Sequence, residues 1–417
     1  MRILLLSWEY PPRIVGGLGR HVHRLSSALA AEGHEVHVIS RDHPDAPAEE
    51  TIDGVHVLRT AEHPPRLDMS SALVPWVLQF NLAVQERALG LLARTEIDVI
   101  HAHDWLVAYA AVGAKAAHGL PLVATVHATE YGRHQGWLPG PMNRLIHQIE
   151  WWLTYEARRV IACSRFMADQ SCQIFQLPSD EIDVIPNGVD LTDHDRPEGL
   201  QELHDLRAQP GEKLIFFAGR LEYEKGVQTV LDALPILLRK QPVRFYVAGV
   251  GTHAEELKAH AARLGLGDRV HFLGFVDDAE LRTFYRAADL GVVPSIYEPF
   301  GMVALETMAS GTPCIAADTG GLREIVVHDA TGLRFRPEDP VQLAETILRL
   351  TTDKRLAKRL TVDARRMITE RFSWESIARE TVETYERAID EERALRGRDD
   401  RPPLRAILGR SPLLAEG

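Results

Sequence analysis

Short, nearly continuous apolar runs alternate with longer helical patterns along most of this chain, and that alternation leaves few folds open. In the first half, Arg2–Ser7, Glu35–Ser40, Val55–Arg59, Asp98–Ala102, Leu122–His127, Val160–Cys163 and Asp183–Ile185 read as strands. Several of these runs lack polar alternation, as strands buried on both faces of a parallel sheet do. Helical patterns such as Leu18–Glu32 and Val107–His118 lie between them. This order predicts a doubly wound α/β fold. The pattern pauses over Asp190–Gly211, a polar stretch with Pro197, Gly199 and Pro210 that reads as a linker. It then restarts, with strands at Lys213–Ala218, Arg244–Ala248, Arg269–Phe272, Leu290–Pro294, Cys314–Ala316 and Gly332–Phe335. Helices are expected at Val227–Lys240, His253–Leu264 and Asp278–Ala288. The 417 residues therefore divide into two Rossmann-like domains, 1–195 and 210–373. Helical residues continue from Phe372 to about Arg393, and residues 395–417 are expected to form a disordered tail.

Charge and cysteine content narrow the function classes. The net charge is −12, from 47 basic and 59 acidic side chains, which argues against a general nucleic-acid binder. A local basic pocket for a small anion is still compatible with it. Cys163, Cys172 and Cys314 form an odd, sparse set with no CxxC pair, which fits a reducing compartment. The apolar run Ile3–Leu6 is too short for a signal peptide, with Glu9 and Arg13 close behind. The stretch Ser71–Ala93 is interrupted by Gln79, Asn81, Gln85, Glu86 and Arg87, so it reads as an amphipathic helix and not a membrane span. A cytoplasmic location is expected, with peripheral membrane contact and oligomeric state left open.

Ligands of open parallel sheets sit beyond the carboxyl ends of the strands, so the informative residues should follow strands. They do. The first strand runs into Ser7-Trp8-Glu9-Tyr10-Pro11-Pro12, and Gly16-Gly17-Leu18-Gly19 opens a helix whose free amides suit an anion. A tight turn would use the same glycines. His101-Ala102-His103-Asp104-Trp105 ends another strand. His101 and His103 share a strand face, as a metal pair would, but no further ligand cluster accompanies them, so a hydrogen-bonded polar rim is the reading. His127 ends the strand Leu122–Val126. In the second half, Gly219-Arg220 follows a strand and Lys225-Gly226 comes five residues after Arg220. Two cations on one such loop suit a diphosphate leaving group. After Leu290–Val293 comes Pro294-Ser295-Ile296-Tyr297-Glu298-Pro299-Phe300-Gly301-Met302-Val303-Ala304-Leu305-Glu306, with a helix starting near Gly301. The amides of Gly301, Met302 and Val303 would then form a phosphate cradle aided by the helix dipole. Glu298 and Glu306 beside that cradle suit hydroxyl groups, such as a ribose diol.

With these motifs in order, the chain resembles the retaining glycosyltransferases of family 4, close to bacterial glycogen synthases and actinobacterial α-1,4-glucosyltransferases. Glu298 to Glu306 matches the family's E-x7-E motif, and Gly219-Arg220 with Lys225-Gly226 matches its GR…KG loop. His101-Ala102-His103-Asp104-Trp105, Thr125-Val126-His127, Pro186-Asn187-Gly188-Val189-Asp190 and Gly16-Gly17-Leu18 follow in the family's order. So do His127-Ala128-Thr129-Glu130 and Gly132-Arg133-His134. The likeness covers about residues 1–390. One departure is that Ile14-Val15 stands where classical glycogen synthases have Lys-Thr before the Gly-Gly, which removes one donor-phosphate cation.

The resemblance implies the GT-B fold, two Rossmann-like domains facing across a cleft that binds the donor, with residues 374–394 returning to the acceptor-side first domain. It implies transfer of glucose from UDP- or ADP-glucose to an α-1,4-glucan or other glucose-based acceptor, with no cofactor and no metal. Arg220 and Lys225 would stabilise the leaving diphosphate, Glu298 would hold donor-sugar hydroxyls, and Glu306 the ribose. His127 would line the sugar, and Gly16, Gly17, Gly301, Met302 and Val303 would contact the donor. Asp104 and Trp137 fall on the cleft or acceptor side, Trp137 near Trp151, Trp152, Tyr131 and Tyr155. The nearest alternative is transfer of mannose or glucose to a lipid or small-molecule acceptor. A sugar-nucleotide 2-epimerase shares the fold but would need acid–base groups around C2. A non-catalytic binding protein would have lost Arg220, Lys225 or Glu298, and all are present.

Overall fold

A computed structural model describes residues 1–64, 67–69, 71–189, 209 and 211–396. It divides into two units, Met1–Pro186 joined by the segment from Trp374 on, and Asn187–Ser373. The first unit therefore ends short of residue 195. Of the expected linker 190–211, only Gln209 and Gly211 lie within the described residues. Of the expected tail, Leu395 and Arg396 belong to the helix Trp374–Arg396, which runs past Arg393, and residues 397–417 lie outside the described residues.

The first unit holds eight strands: β1 (Arg2–Leu6), β2 (Glu35–Arg41), β3 (Glu49–Ile52), β4 (Val55–Thr60), β5 (Val99–His103), β6 (Leu122–Val126), β7 (Arg159–Ala162) and β8 (Ile182–Val184). Their order is β3-β4-β2-β1-β5-β6-β7-β8. All pairs are parallel except β3 with β4. One face of the sheet presents Ile3, Leu5, Val36, Val38, Val99, Val123 and Ile161 to the helices Gly17–Ala31 and Trp374–Arg396, through Val22, Leu25, Leu29, Ile377 and Tyr385. Leu4 and Leu6, which point the other way, are also fully buried. Burial on both faces is why β1 carries no polar alternation.

The second unit holds β9 (Lys213–Ala218), β10 (Val243–Ala248), β11 (Val270–Gly274), β12 (Leu290–Val293), β13 (Cys314–Ala317) and β14 (Leu333–Phe335). The order is β11-β10-β9-β12-β13-β14, all parallel. Ile215, Phe217, Phe245 and Val247 pack with Val230, Leu234 and Leu237 of the helix Val227–Leu238 on one face. Phe216 and Tyr246 pack with Phe284 and Tyr285 of the helix Asp278–Ala287 on the other.

Among the parallel strands each order reverses direction once, at β1/β5 in the first sheet and at β9/β12 in the second. A doubly wound sheet opens a crevice at such a switch point. The segments that follow β1, β5, β9 and β12 carry most of the residues singled out from the sequence.

Candidate functional site

In the first unit, the helix Gly17–Ala31 begins directly after Gly16. Its terminus already has an anion. The carboxylate of buried Glu9 accepts the amides of Val15 at 2.7 Å and Gly16 at 3.0 Å through Oε2. A Cβ on Gly19 would meet that same oxygen at 2.9 Å, so glycine there lets the helix close on the carboxylate. Burial raises the Glu9 carboxyl above its ordinary range, although the Val15 and Gly16 amides pull it back. The amide of Gly16, expected to face the donor, is thus paired within the chain. The sequence reading passed over Glu9. Its one signal was an acid between two aromatics just ahead of a Gly-rich helix start.

The carboxyl ends of β5 and β6 gather imidazoles. His103 pairs with Thr125 in register, and His127 follows β6 directly. His103 Nδ1 lies 3.2 Å from His127 Nε2. His21, on the second turn of the helix Gly17–Ala31, brings its ring within 4.8 Å of His127 and 5.4 Å of His103, measured between centroids. Trp374 borders His21 at 5.6 Å. His101 is saturated, with Nδ1 on Tyr385 Oη and Nε2 on Thr125 Oγ1, both at 2.7 Å. Burial holds His101 and His103 well below the usual histidine range. Burial, reinforced by Arg133, pushes His127 down to about 3. The rings of His101, His103 and His127 are therefore neutral at physiological pH.

This cluster is larger than the His101–His103 pair visible in the sequence. His21, His103 and His127 each bring a ring nitrogen to within 4.8 Å of the others, the one such group among the described residues. Imidazole nitrogens at that spacing could be drawn onto a transition-metal ion, but the His103–His127 hydrogen bond already uses one nitrogen of each.

Asp104 supports His127 from below. It has a φ of 61°, which turns the chain out of β5, and its buried Oδ1 accepts the His127 amide at 2.8 Å. Burial pushes its carboxyl up to about 6, against the pull of the His127 and Ala128 amides and of Arg133. Arg133, on the short helix Glu130–Arg133, also acts electrostatically on His127 and on Glu150, a carboxyl that burial raises well above its ordinary range. Trp137 is 68% exposed. Trp151 and Tyr155 stack on each other at 5.3 Å on the exposed side of the helix Pro141–Glu156, while Trp152 packs on Tyr109.

In the second unit, two post-strand loops are locked together. Gly226 has a φ of 72° and caps the helix Val227–Leu238. A Cβ there would meet the carbonyl oxygen of Pro294 at 2.0 Å, so only glycine lets the loops after β9 and β12 close up. The amide of Ile296 donates to Glu224 O at 2.8 Å. Across this seam Lys225 Nζ donates to Glu298 Oε2 at 2.8 Å, and Ser295 Oγ donates to the same oxygen at 3.0 Å. The Arg220 side chain is 45% exposed and, among the described residues, makes only a loose pair with Glu224, at 3.8 Å. The helix Met302–Ala309 starts after Gly301, whose φ is 118°. Ala304 and Leu305 donate to Gly301 O, which leaves the amides of Met302 and Val303 ahead of the first helical bonds. Glu306 accepts from Tyr285 Oη at 3.0 Å, a partner the sequence reading missed. The Gly321 amide holds Glu298 O at 2.9 Å.

Exposed Arg220, the Lys225–Glu298 pair and the helix start thus converge at the β9/β12 switch point. The neutral histidines and Asp104 gather at the ends of β5 and β6. Comparison with known proteins gives the class of enzyme. Residues 15–193 match the family model described as Glycosyltransferase Family 4, and residues 201–367 match Glycosyl transferases group 1. A glycogen synthase of Mycobacterium tuberculosis is 39% identical over 92% of this chain and 94% of its own length. A D-inositol 3-phosphate glycosyltransferase of Nocardia farcinica is 30% identical over 90% of this chain and 85% of its own. Among solved structures, a sucrose-phosphate synthase from Thermosynechococcus elongatus superposes with a TM-score of 0.80 at 25% identity, covering 94% of this chain and 99% of that one. The chain belongs to the family 4, group 1 glycosyltransferases and has their GT-B fold. It is a hexosyltransferase of the glycogen-synthase-like kind. No helix among the described residues is long and apolar enough to cross a membrane.

Proposed function

We propose that this enzyme transfers glucose, with retention, from UDP- or ADP-glucose to an α-1,4-glucan or other glucose-based acceptor, without a metal and in the cytoplasm. The observation that carries the reading is the seam between the loops after β9 and β12, where Lys225 meets Glu298 at 2.8 Å beside exposed Arg220. As the glycosidic bond breaks, negative charge grows on the leaving diphosphate. Arg220, Lys225 and the amides of Met302 and Val303 supply fixed positive charge where it develops. Glu298, oriented by Lys225 and Ser295, takes donor-sugar hydroxyls. Glu306, oriented by Tyr285, takes the ribose. His127 lines the sugar as a neutral ring, which fits hydrogen bonding better than proton transfer. Gly17 keeps a place at the donor, while the Gly16 amide contributes through Glu9. The glycogen synthase relative supports glucose and a glucan. The test is incubation with labelled UDP- or ADP-glucose and maltooligosaccharides, followed by an α-1,4-specific amylase. Label released as short sugars supports the reading, and label that resists digestion overturns it.

A second reading, a small phosphate-bearing acceptor, is favoured by Arg133. Among the described residues it makes no ion pair, yet it acts on His127, Asp104 and Glu150. One relative bears the name D-inositol 3-phosphate glycosyltransferase. Turnover with sugar phosphates and not with maltooligosaccharides would select this alternative.

A further inference from the structure

His127 has two ring nitrogens, and the hydrogen bond at one decides what the other offers a ligand. Its Nε2 lies 3.2 Å from His103 Nδ1, so one of these two atoms carries the shared proton. The other end of His103 tells which. His103 Nε2 is buried and has no hydrogen-bond partner among the described residues. A buried N–H without an acceptor is rarer and costlier than a lone pair left without a donor. His103 therefore keeps its single proton on Nδ1, where an acceptor exists, and donates it to His127 Nε2. Being neutral and accepting at Nε2, His127 must hold its own proton on Nδ1.

We infer that His103 is a positioning residue that fixes His127 in the Nδ1–H tautomer, so that His127 presents the donor sugar with a hydrogen-bond donor and not with a basic nitrogen. The inference rests on the proposed reading of His127 as a sugar contact. The surroundings keep the device rigid. His103 is fully buried at the end of β5, its ring 4.1 Å from that of His101, and His101 is pinned at both nitrogens by Tyr385 and Thr125. The contact to the His127 ring is an imidazole, where a carboxylate would have favoured a charged imidazolium. Asp104 touches His127 through its backbone amide and not its ring. Such a ring can orient a hydroxyl or ring oxygen of the sugar without removing a proton, as a retaining transfer that avoids a general base at that face requires.

The tautomer can be read directly. In the full chain labelled with 15N-histidine, the His127 ring signals, assigned by their loss in His127→Gln, should show a protonated Nδ1 and an unprotonated Nε2. This measurement needs no His103 variant to fold. A protonated Nε2 on His127 in the unaltered chain would overturn the inference. In His103→Leu, Nδ1–H should cease to be the sole form, and kcat should fall by about 10²-fold, as for a misplaced contact group. Affinity for the nucleoside diphosphate should stay the same. His103→Asn, whose amide N–H can stand where Nδ1–H stood, should recover most of the rate. Equal rates for the Leu and Asn variants would count against the role. If His127→Ala itself keeps full turnover, the reading of His127 as a sugar contact fails, whatever the tautomer proves to be.

Discussion

The two units treat polarity in opposite ways at matching places in their sheets. In the first, the helix terminus after β1 is closed by the chain's own Glu9, and the imidazoles beyond β5 and β6, His103 buried and His127 half-buried, are neutral. In the second, the cation after β9 is exposed, and the helix terminus after β12 keeps the amides of Met302 and Val303 outside its own hydrogen-bond ladder. At these places the first unit pairs a carboxylate with its own backbone, while the second leaves Arg220 exposed. On the proposed function, the same doubly wound architecture would supply orientation in one half and anion stabilisation in the other, with loop residues deciding which.

The largest effects should come from the charged half. Arg220→Ala and Lys225→Ala are each expected to lower kcat by about 10²–10³-fold while circular dichroism stays unchanged. Lys225→Ala also leaves Glu298 without its cationic partner, so its loss should be the larger of the two. Near-normal turnover in either variant would break the comparison.

The next effect concerns pH. Asp104 accepts the His127 amide as a carboxylate, and its carboxyl sits at about 6. The ionised form prevails above that value, and protonation below it weakens the hold on His127. The rate should therefore fall on the acid side of about pH 6, approaching tenfold per pH unit for a single proton. Asp104→Asn keeps an acceptor oxygen that does not titrate, so this acid limb should vanish. A limb that persists in Asp104→Asn belongs to another group.

These residues were unequally legible. Arg220 and Lys225 lie in one short segment after a strand and Glu298 and Glu306 in another, so local spacing marks each pair, while the β9/β12 neighbourhood brings the two segments together. Glu9 was passed over because its partners are backbone amides, which leave no mark in a sequence. His21 joined the histidines only through the packing of the helix Gly17–Ala31 on the sheet. Tyr385 reaches His101 across 284 residues, a contact no local pattern reports. The missed strand β3, Glu-Glu-Thr-Ile, has one apolar residue and pairs antiparallel at an edge, so it lacks the continuous apolar run that marked the others. The parallel core was legible because burial on both faces writes itself into every position.

A smaller effect tests the closed helix terminus. Glu9→Ala leaves the Val15 and Gly16 amides without their carboxylate, and should lower unfolding stability by about 1–3 kcal/mol in a denaturant titration. An unchanged midpoint would mean that Glu9 is not what closes this terminus. The smallest effect expected is none. Side-chain cations supply the leaving-group charge in this account, so EDTA should leave the rate as it was. Activity lost to EDTA and restored by Mg²⁺ or Mn²⁺ would contradict it.

The division of labour itself is tested most directly by titration calorimetry of the nucleoside diphosphate product against three proteins: the unaltered chain, Arg220→Ala and His127→Ala. Arg220→Ala should bind UDP or ADP more weakly by about tenfold or more, the value of a charge-assisted contact of roughly 1.5–3 kcal/mol. His127→Ala should bind the diphosphate as the unaltered chain does, while losing turnover. Equal binding by Arg220→Ala, or a loss of diphosphate affinity in His127→Ala, would contradict the assignment of charge to one unit and orientation to the other.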